Sequence, residues 1–224
     1  MVRIGIIDDN SSELDDIRAT IFTAWKKSPD ILEEVDFKPY SLEKTQDFKE
    51  KLESELLQDI EKRTIQSLIV DYKLDSLRKV LEGKDIVEYL QDLAPAFPVV
   101  ILTNAPSGSK KEAEIDPDKV YDKREFLKVN SSESDEMCFK IYLNIMRYIK
   151  HRGELEVALD ASLNDLASRP GADVDIDLLS RISEIEVDLS KYVPIDKSHA
   201  EKLFDLSELK GLIEEISKLE GNLE

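Results

Sequence analysis

Cysteine and histidine are scarce in this sequence. Cys138 is the single cysteine among 224 residues, which excludes a disulfide bond within the chain. The two histidines, His151 and His199, form no His/Cys ligand pattern and no Ser/His/Asp set. A glycine-rich phosphate loop is also absent. We therefore do not expect a zinc site, a serine-hydrolase triad or a P-loop nucleotide site.

Long apolar runs are absent as well. No stretch approaches the ~20 apolar residues needed to span a bilayer. The first residues, Met1-Val2-Arg3, lead directly into a short apolar run without the pattern of a signal peptide. We expect a cytoplasmic protein without a membrane segment.

Positive charge is in deficit. The formal net charge is −18, and the residues after position 150 are more acidic than those before it. Nucleic acids and anionic membranes would be repelled, so we expect neither a nucleic-acid partner nor a membrane partner. Hydrophobic residues make up 41% of the chain, which is sufficient for a packed core.

Short apolar runs alternate with helical patterns along the first two thirds of the chain. The five runs lie at residues 2–7, 35–37, 66–70, 99–102 and 119–122. This alternation predicts an α/β fold, a five-stranded parallel doubly wound sheet with helices on both faces. Pro39 favours an edge position for the second strand, and Asn10 is the predicted N-cap of the first helix, with Glu13 completing a capping box.

The last third of the chain has a different pattern. Leucine and isoleucine recur at helical spacing over three segments, which predicts an all-helical C-terminal domain. We place an α/β domain at residues 1–152 and an acidic helical bundle or hairpin at residues 153–224. The apolar faces of these helices are interpreted as bundle core or as a subunit interface.

Charged and hydroxyl side chains stand where the predicted strands end. Because the carboxyl ends of parallel strands meet at one edge of a sheet, we expect them to form one cluster. The cluster comprises Asp8, Asp9, Asp71, Thr103 and Lys123. Taken one at a time, each has an ordinary explanation as a helix cap, a loop residue or a solvated charge. Together they suit a divalent cation such as Mg²⁺ and a phosphoryl group.

Four segments around these residues resemble the signatures of the receiver domains of response regulators in two-component systems. The segments are Ile6-Ile7-Asp8-Asp9-Asn10, Leu68-Ile69-Val70-Asp71, Val100-Ile101-Leu102-Thr103 and Tyr121-Asp122-Lys123. They occur in the order of the family and cover about residues 1–150. The resemblance implies the CheY-like, flavodoxin-like fold.

The same resemblance implies a role for each residue. Asp71 would be the phosphoacceptor, and Thr103 and Lys123 would bind the phosphoryl oxygens. Mg²⁺ would be held by Asp8, Asp9, Asp71 and the backbone carbonyl of Lys73. The implied partners are a sensor histidine kinase or phosphotransfer protein, and a downstream protein or a second copy of the chain bound through the C-terminal helices. Such a protein takes up a phosphoryl group but is not an enzyme acting on other molecules.

Some positions depart from the family pattern. Arg124 stands where proline usually follows the lysine, and Asn104 follows Thr103 where a small residue is usual. The usual aromatic switch position is Val120, with Tyr121 next to it. These departures concern the residues that transmit the signal and admit the phosphodonor, whereas the acidic pocket is complete.

Two alternatives remain open at this point. One is a phosphatase resembling the haloacid-dehalogenase type, with Asp8 as nucleophile and Asn10 in place of the usual second aspartate. The absence of that second aspartate weighs against it. The other is a pseudo-receiver, a scaffold that binds partners without being phosphorylated, and Asn104 and Arg124 favour it.

Overall fold

The structure is a computed structural model. It describes residues 1–42, 47–74, 81–104, 116–168 and 176–194. The sequence pattern also predicts a short helix near residues 110–115 and a third C-terminal helix over residues 203–219, and both segments lie outside the described residues.

One parallel sheet forms the centre of the molecule. Its strands are β1 (Val2–Ile7), β2 (Val35–Pro39), β3 (Ser67–Asp71), β4 (Val99–Thr103) and β5 (Val120–Asp122). All pairings are parallel, and the order across the sheet is β2-β1-β3-β4-β5. This is the doubly wound flavodoxin-like order, which confirms the predicted fold class. Strand β2, which ends at Pro39, lies at one edge as predicted.

Helices follow the strands in chain order. They are α1 (Ser11–Lys27), α2 (Phe48–Glu61), α3 (Gly83–Leu93), α4 (Lys123–Phe126), α5 (Ser132–Ala167) and α6 (Ile176–Leu189). Asn10 caps α1, since its side chain accepts a hydrogen bond from the backbone N–H of Ser12. None of the helices in the described ranges is both long enough and apolar enough to cross a membrane.

The two faces of the sheet bury separate cores, because successive strand residues point in opposite directions. Ile7, Val70 and Ile101 pack on the face that α2 and α3 cover. Ile6 and Ile69 pack on the opposite face, with α1 and the first half of α5. Residues of β3 and β4 are buried throughout, as expected for central strands covered on both sides.

Helix α5 has 36 residues and continues far beyond the sheet. The boundary predicted after residue 152 falls inside this unbroken helix. The described residues belong to one compact unit, Met1–Pro194. Helix α6 packs on α5, so the described residues after position 152 are mainly helical and belong to the same compact unit as the sheet.

Arg152 fastens the middle of α5 to the end of α2. Its guanidinium donates hydrogen bonds to the backbone carbonyls of Ile60 at 2.8 Å and Glu61 at 3.0 Å, and to the hydroxyl of Tyr148 at 3.0 Å. Its Nε donates to Glu156 on the next turn. The last carbonyls of a helix lack partners within the helix, so Arg152 satisfies part of the C-terminus of α2.

Residues after α6 return to the amino edge of the sheet. The Tyr148 hydroxyl donates to the backbone carbonyl of Tyr192 at 2.9 Å, and the two rings stack. The backbone N–H of Ala96, just before β4, donates to the carbonyl of Lys191 at 2.8 Å. The segment after α6 is therefore attached to the α/β core by hydrogen bonds to its backbone carbonyls.

Candidate functional site

The carboxyl ends of the central strands meet as the sequence predicted. Asp71 at the end of β3 pairs with Leu102 of β4, and Thr103 pairs with Asp122 of β5. Ile7 of β1 pairs with Val70, so Asp8 lies next to Asp71 at the same edge. Parallel strand register alone thus collects the predicted residues into one site.

Lys123 is the centre of the site. Its ammonium group donates to Asp8 Oδ2 at 2.7 Å and to Asp71 Oδ1 at 3.0 Å, and it forms an ion pair with Glu13. Lys123 is only 3% exposed, Asp8 4% and Asp71 8%. An ammonium group taken out of water needs such partners, because an unpaired buried charge is costly.

Asp8 is held on both of its oxygens. Oδ1 accepts a hydrogen bond from the backbone N–H of Asn10 at 2.9 Å, while Oδ2 accepts from Lys123. Asn10 also caps α1 and donates from its side-chain amide to Glu13 at 3.1 Å. The position of Asp8 is therefore fixed by the start of α1 and by Lys123 together.

Burial and charge act against each other in this site. Burial raises the pKa of Asp71 from its ordinary value of 3.8 to about 6, although Lys123 opposes the change. Burial also raises the pKa of Asp8, again against Lys123. For Lys123, burial lowers the pKa, but the hydrogen bonds and charges of its carboxylate partners outweigh that effect and raise it. A further positive charge beside Asp71 and Asp8 would therefore stabilise their ionised carboxylates.

An open pocket of about 600 Å³ gives access to the site. Its walls include Asp9, Glu13, Asp71, Lys73, Thr103 and Lys123. Thr103 is buried at the end of β4, one residue beyond the partner of Asp71. The pocket thus presents a carboxylate, a hydroxyl and an ammonium to a molecule entering from solvent.

The carboxylates fit a divalent cation. One oxygen from each of Asp8, Asp9 and Asp71 lies within 4.8 Å of the others. Mg²⁺ prefers oxygen ligands and keeps several waters, and the open side of the pocket leaves space for those waters. Lys73 lies on the pocket wall, and the use of its carbonyl as a ligand stays a prediction.

Glu13 also belongs to this site, although the sequence pattern predicted only a helix-capping role for it. Its carboxylate instead accepts from the side chain of Asn10 and pairs with Lys123. The available signal was its position in the first turn of α1, one turn after the Asp8-Asp9 pair. Because α1 begins at the carboxyl edge of the sheet, a carboxylate in its first turn could have been assigned to the pocket edge.

Gly83, the first residue of α3, packs against the backbone of Asp71 and Tyr72. A Cβ atom at this position would collide with the backbone carbonyl of Asp71 and lie 2.9 Å from the Cα of Tyr72. The N–H of Gly83 also donates to the carbonyl of Tyr72 at 3.2 Å. The start of α3 therefore packs directly on the peptide that follows the predicted phosphoacceptor, which only glycine permits.

The departures from the family pattern lie beside the site. Arg124 is exposed and pairs with Asp122, whose side chain caps the short helix α4. Val120 is buried among the residues under α2 and α3, whereas Tyr121 packs on the α1–α5 face. Tyr121 thus faces away from the side of β5 on which Val120 lies.

Comparisons with known proteins give distant matches. No protein-family model and no curated protein matches the sequence. A two-component transcriptional regulator AraC from Clostridium phytofermentans ISDg matches with 15% identity and a TM-score of 0.43, over 66% of this chain and 97% of that one. The RcsB response regulator of Salmonella typhimurium matches with 15% identity and a TM-score of 0.38, over 88% and 95%. The strand order of the structure gives this chain the flavodoxin-like fold, and Asp8, Asp71, Thr103 and Lys123 lie at the strand ends where the sequence resembles the receiver signatures.

Proposed function

We propose that this protein is a two-component response regulator in which Asp71 accepts a phosphoryl group from a sensor histidine kinase or a phosphotransfer protein. The observation that supports this most directly is the buried ammonium of Lys123. It bridges Asp8 and Asp71, from the ends of two neighbouring strands, at the wall of an open pocket. A cation in this position suits a phosphoryl group attached to Asp71.

The proposed transfer forms one bond and breaks one. A carboxylate oxygen of Asp71 attacks the phosphorus atom, and the phosphorus–nitrogen bond of a phosphohistidine breaks, with its electron pair returning to the imidazole. Lys123 and Thr103 bind oxygens of the transferred group. Mg²⁺ held by Asp8, Asp9, Asp71 and the Lys73 carbonyl would offset the repulsion between the carboxylate and the incoming phosphoryl oxygens.

The proposed output is a protein–protein interaction or self-association through the C-terminal helices. The net charge of −18 disfavours DNA as the partner. The RcsB structure concerns DNA interaction of that protein, whereas this chain has 31 Lys and Arg residues against 49 Asp and Glu residues. A regulator with these partners would act in the cytoplasm.

The phosphatase alternative receives less support from the geometry. It requires Asp8 to attack, but both oxygens of Asp8 accept hydrogen bonds, one of them from the backbone. Asn10, which would replace the second aspartate, caps α1 with its side chain. A carboxamide cannot shuttle a proton as that second aspartate does. The pseudo-receiver alternative has the same fold and differs only in that Asp71 is not phosphorylated. A phosphorylation experiment distinguishes the two.

Incubation with Mg²⁺ and acetyl phosphate, followed by mass spectrometry of the intact chain and its peptides, tests the proposal. We expect one phosphoryl group on Asp71, lost in Asp71→Asn and retained in Asp92→Asn, a control at an exposed aspartate of α3. Turnover of an aryl phosphate that depends on Asp8 would instead indicate the phosphatase. No label and no turnover would favour the pseudo-receiver.

A further inference from the structure

Glu13 adds a carboxylate to the pocket that the proposed phosphoryl transfer does not use. It lies in the first turn of α1 and lines the pocket wall. Its Oε1 accepts from the side chain of Asn10 at 3.1 Å, and its Oε2 pairs with Lys123. The Glu13 side chain is 31% exposed, far more than those of the other two carboxylates on Lys123.

The ammonium of Lys123 has three protons to donate. In this structure its partners are the three carboxylates of Asp8, Asp71 and Glu13. A phosphoryl oxygen can therefore bind Lys123 only if one of these contacts is released. Asp8 is buried and fixed by a backbone N–H, and Asp71 is the proposed acceptor. Glu13 is the partner that can leave, because its side chain is long and reaches solvent.

We propose that Glu13 is a positioning residue that occupies Lys123 before phosphorylation and competes with the phosphoryl group for it. This inference rests on the proposed function and adds a regulatory residue to the same site. In the resting protein, Glu13 neutralises Lys123 and so favours a cation beside the aspartates. After transfer, the phosphoryl oxygens displace Glu13, which then faces solvent near Asn10.

The competition predicts opposite effects on cation and anion binding. Glu13→Gln removes a negative charge next to Lys123, so Mg²⁺ should bind more weakly, whereas an anionic phosphoryl analogue should bind more tightly. We expect changes of about two- to fivefold in each dissociation constant, the size of one close charge interaction in a partly exposed site. A residue that only caps α1 would change neither constant in this paired manner.

The experiment uses the full chain and isothermal titration calorimetry. Mg²⁺ is titrated first, and then beryllofluoride, a phosphoryl analogue, at saturating Mg²⁺. Glu13→Gln keeps an oxygen that can accept from Asn10, so α1 should start normally. Asp16→Asn is the matched control, because it removes one carboxylate from an exposed position on the same helix.

The outcomes separate this inference from the proposed function. Weaker Mg²⁺ binding with tighter beryllofluoride binding in Glu13→Gln, and little change in Asp16→Asn, supports the competition. If the unmodified protein binds both ligands but Glu13→Gln behaves like Asp16→Asn, the role of Glu13 is overturned and the proposed function stands. If the unmodified protein binds neither ligand, the proposed function itself fails.

Discussion

Two buried cations lie in different parts of the same fold and are held by different kinds of partner. At the carboxyl edge of the sheet, Lys123 is held by the side chains of three carboxylates. Near the start of the strands, Arg152 donates to the backbone carbonyls of Ile60 and Glu61, as well as to two side chains of its own helix. Side-chain partners can turn away or exchange for another ligand, whereas the carbonyls at the end of a packed helix cannot.

The partners of Lys123 can exchange for another ligand, whereas those of Arg152 attach one helix to another. Around Lys123, burial raises the pKa values of Asp8 and Asp71, so part of the folding free energy is given up to keep the charges together. Around Arg152, the hydrogen bonds satisfy backbone groups that would otherwise lack partners. Mg²⁺ should therefore change the stability contributed by the first cluster and leave the second unchanged.

The largest expected effect is the loss of Lys123. Lys123→Met leaves the carboxylates of Asp8, Asp71 and Glu13 without their cation, and we expect the free energy of unfolding to fall by about 3–5 kcal/mol without metal. Mg²⁺ should restore much of this loss. Urea unfolding in EDTA and in millimolar Mg²⁺ measures both values, with exposed Lys128→Met as control. An equal loss in both buffers would contradict exchange at this site.

Removal of Arg152 should have a slightly smaller effect. Arg152→Met abolishes the hydrogen bonds to the end of α2, and we expect a loss of about 3 kcal/mol in the free energy of unfolding. The same urea experiment should give this loss with and without Mg²⁺. Exposed Arg147→Met serves as control on the same helix. Restoration by Mg²⁺ would remove the distinction between the two clusters.

The pH dependence of the free energy of unfolding should reveal the cost of burying the ionised Asp71 carboxylate. Its pKa rises from 3.8 unfolded to about 6 folded, so the folded protein binds the proton more tightly. This destabilisation is fully present above the folded pKa and disappears as pH falls toward the unfolded pKa. In EDTA, the free energy of unfolding should therefore gain about 2 kcal/mol from this residue as pH falls from neutral through 6 toward 4.

Asp71→Asn removes the titrating group and should flatten this part of the curve, and it should raise stability at neutral pH. Asp92→Asn should leave the curve unchanged. If the free energy of unfolding changes with pH in the same way in the unmodified protein and in Asp71→Asn, Asp71 is not the group responsible.

The smallest effect concerns a single hydroxyl. Tyr148→Phe removes the hydrogen bond to the Tyr192 carbonyl and the oxygen that accepts from Arg152, but it keeps the ring that packs on Phe97. We expect a loss of about 1 kcal/mol. Amide hydrogen exchange should increase near Tyr192 and stay unchanged around Asp71. Faster exchange at both places would mean that the two clusters are coupled.

Sequence patterns predicted the parts of this molecule that repeat or lie at strand ends. The order of five strands followed from alternation, and the cluster of Asp8, Asp71 and Lys123 followed from parallel topology. Glu13 was assigned only to helix capping, because a first-turn carboxylate has the same pattern whether it caps a helix or faces a pocket. Arg152 was missed because its partners lie 91 and 92 residues away, and no periodicity encodes such a contact.

The packing of Gly83 on the peptide after Asp71 has a practical consequence. The hydrogen bond from Gly83 to Tyr72 ties together the two ends of the segment between them. The entropy of closing a loop grows slowly, by about 0.6 kcal/mol for each doubling of its length. Residues inserted between these two anchors should therefore leave Asp71 in place. A fluorescent reporter inserted there would sit a few residues from the acceptor and could convert this chain into an optical sensor of its own phosphorylation.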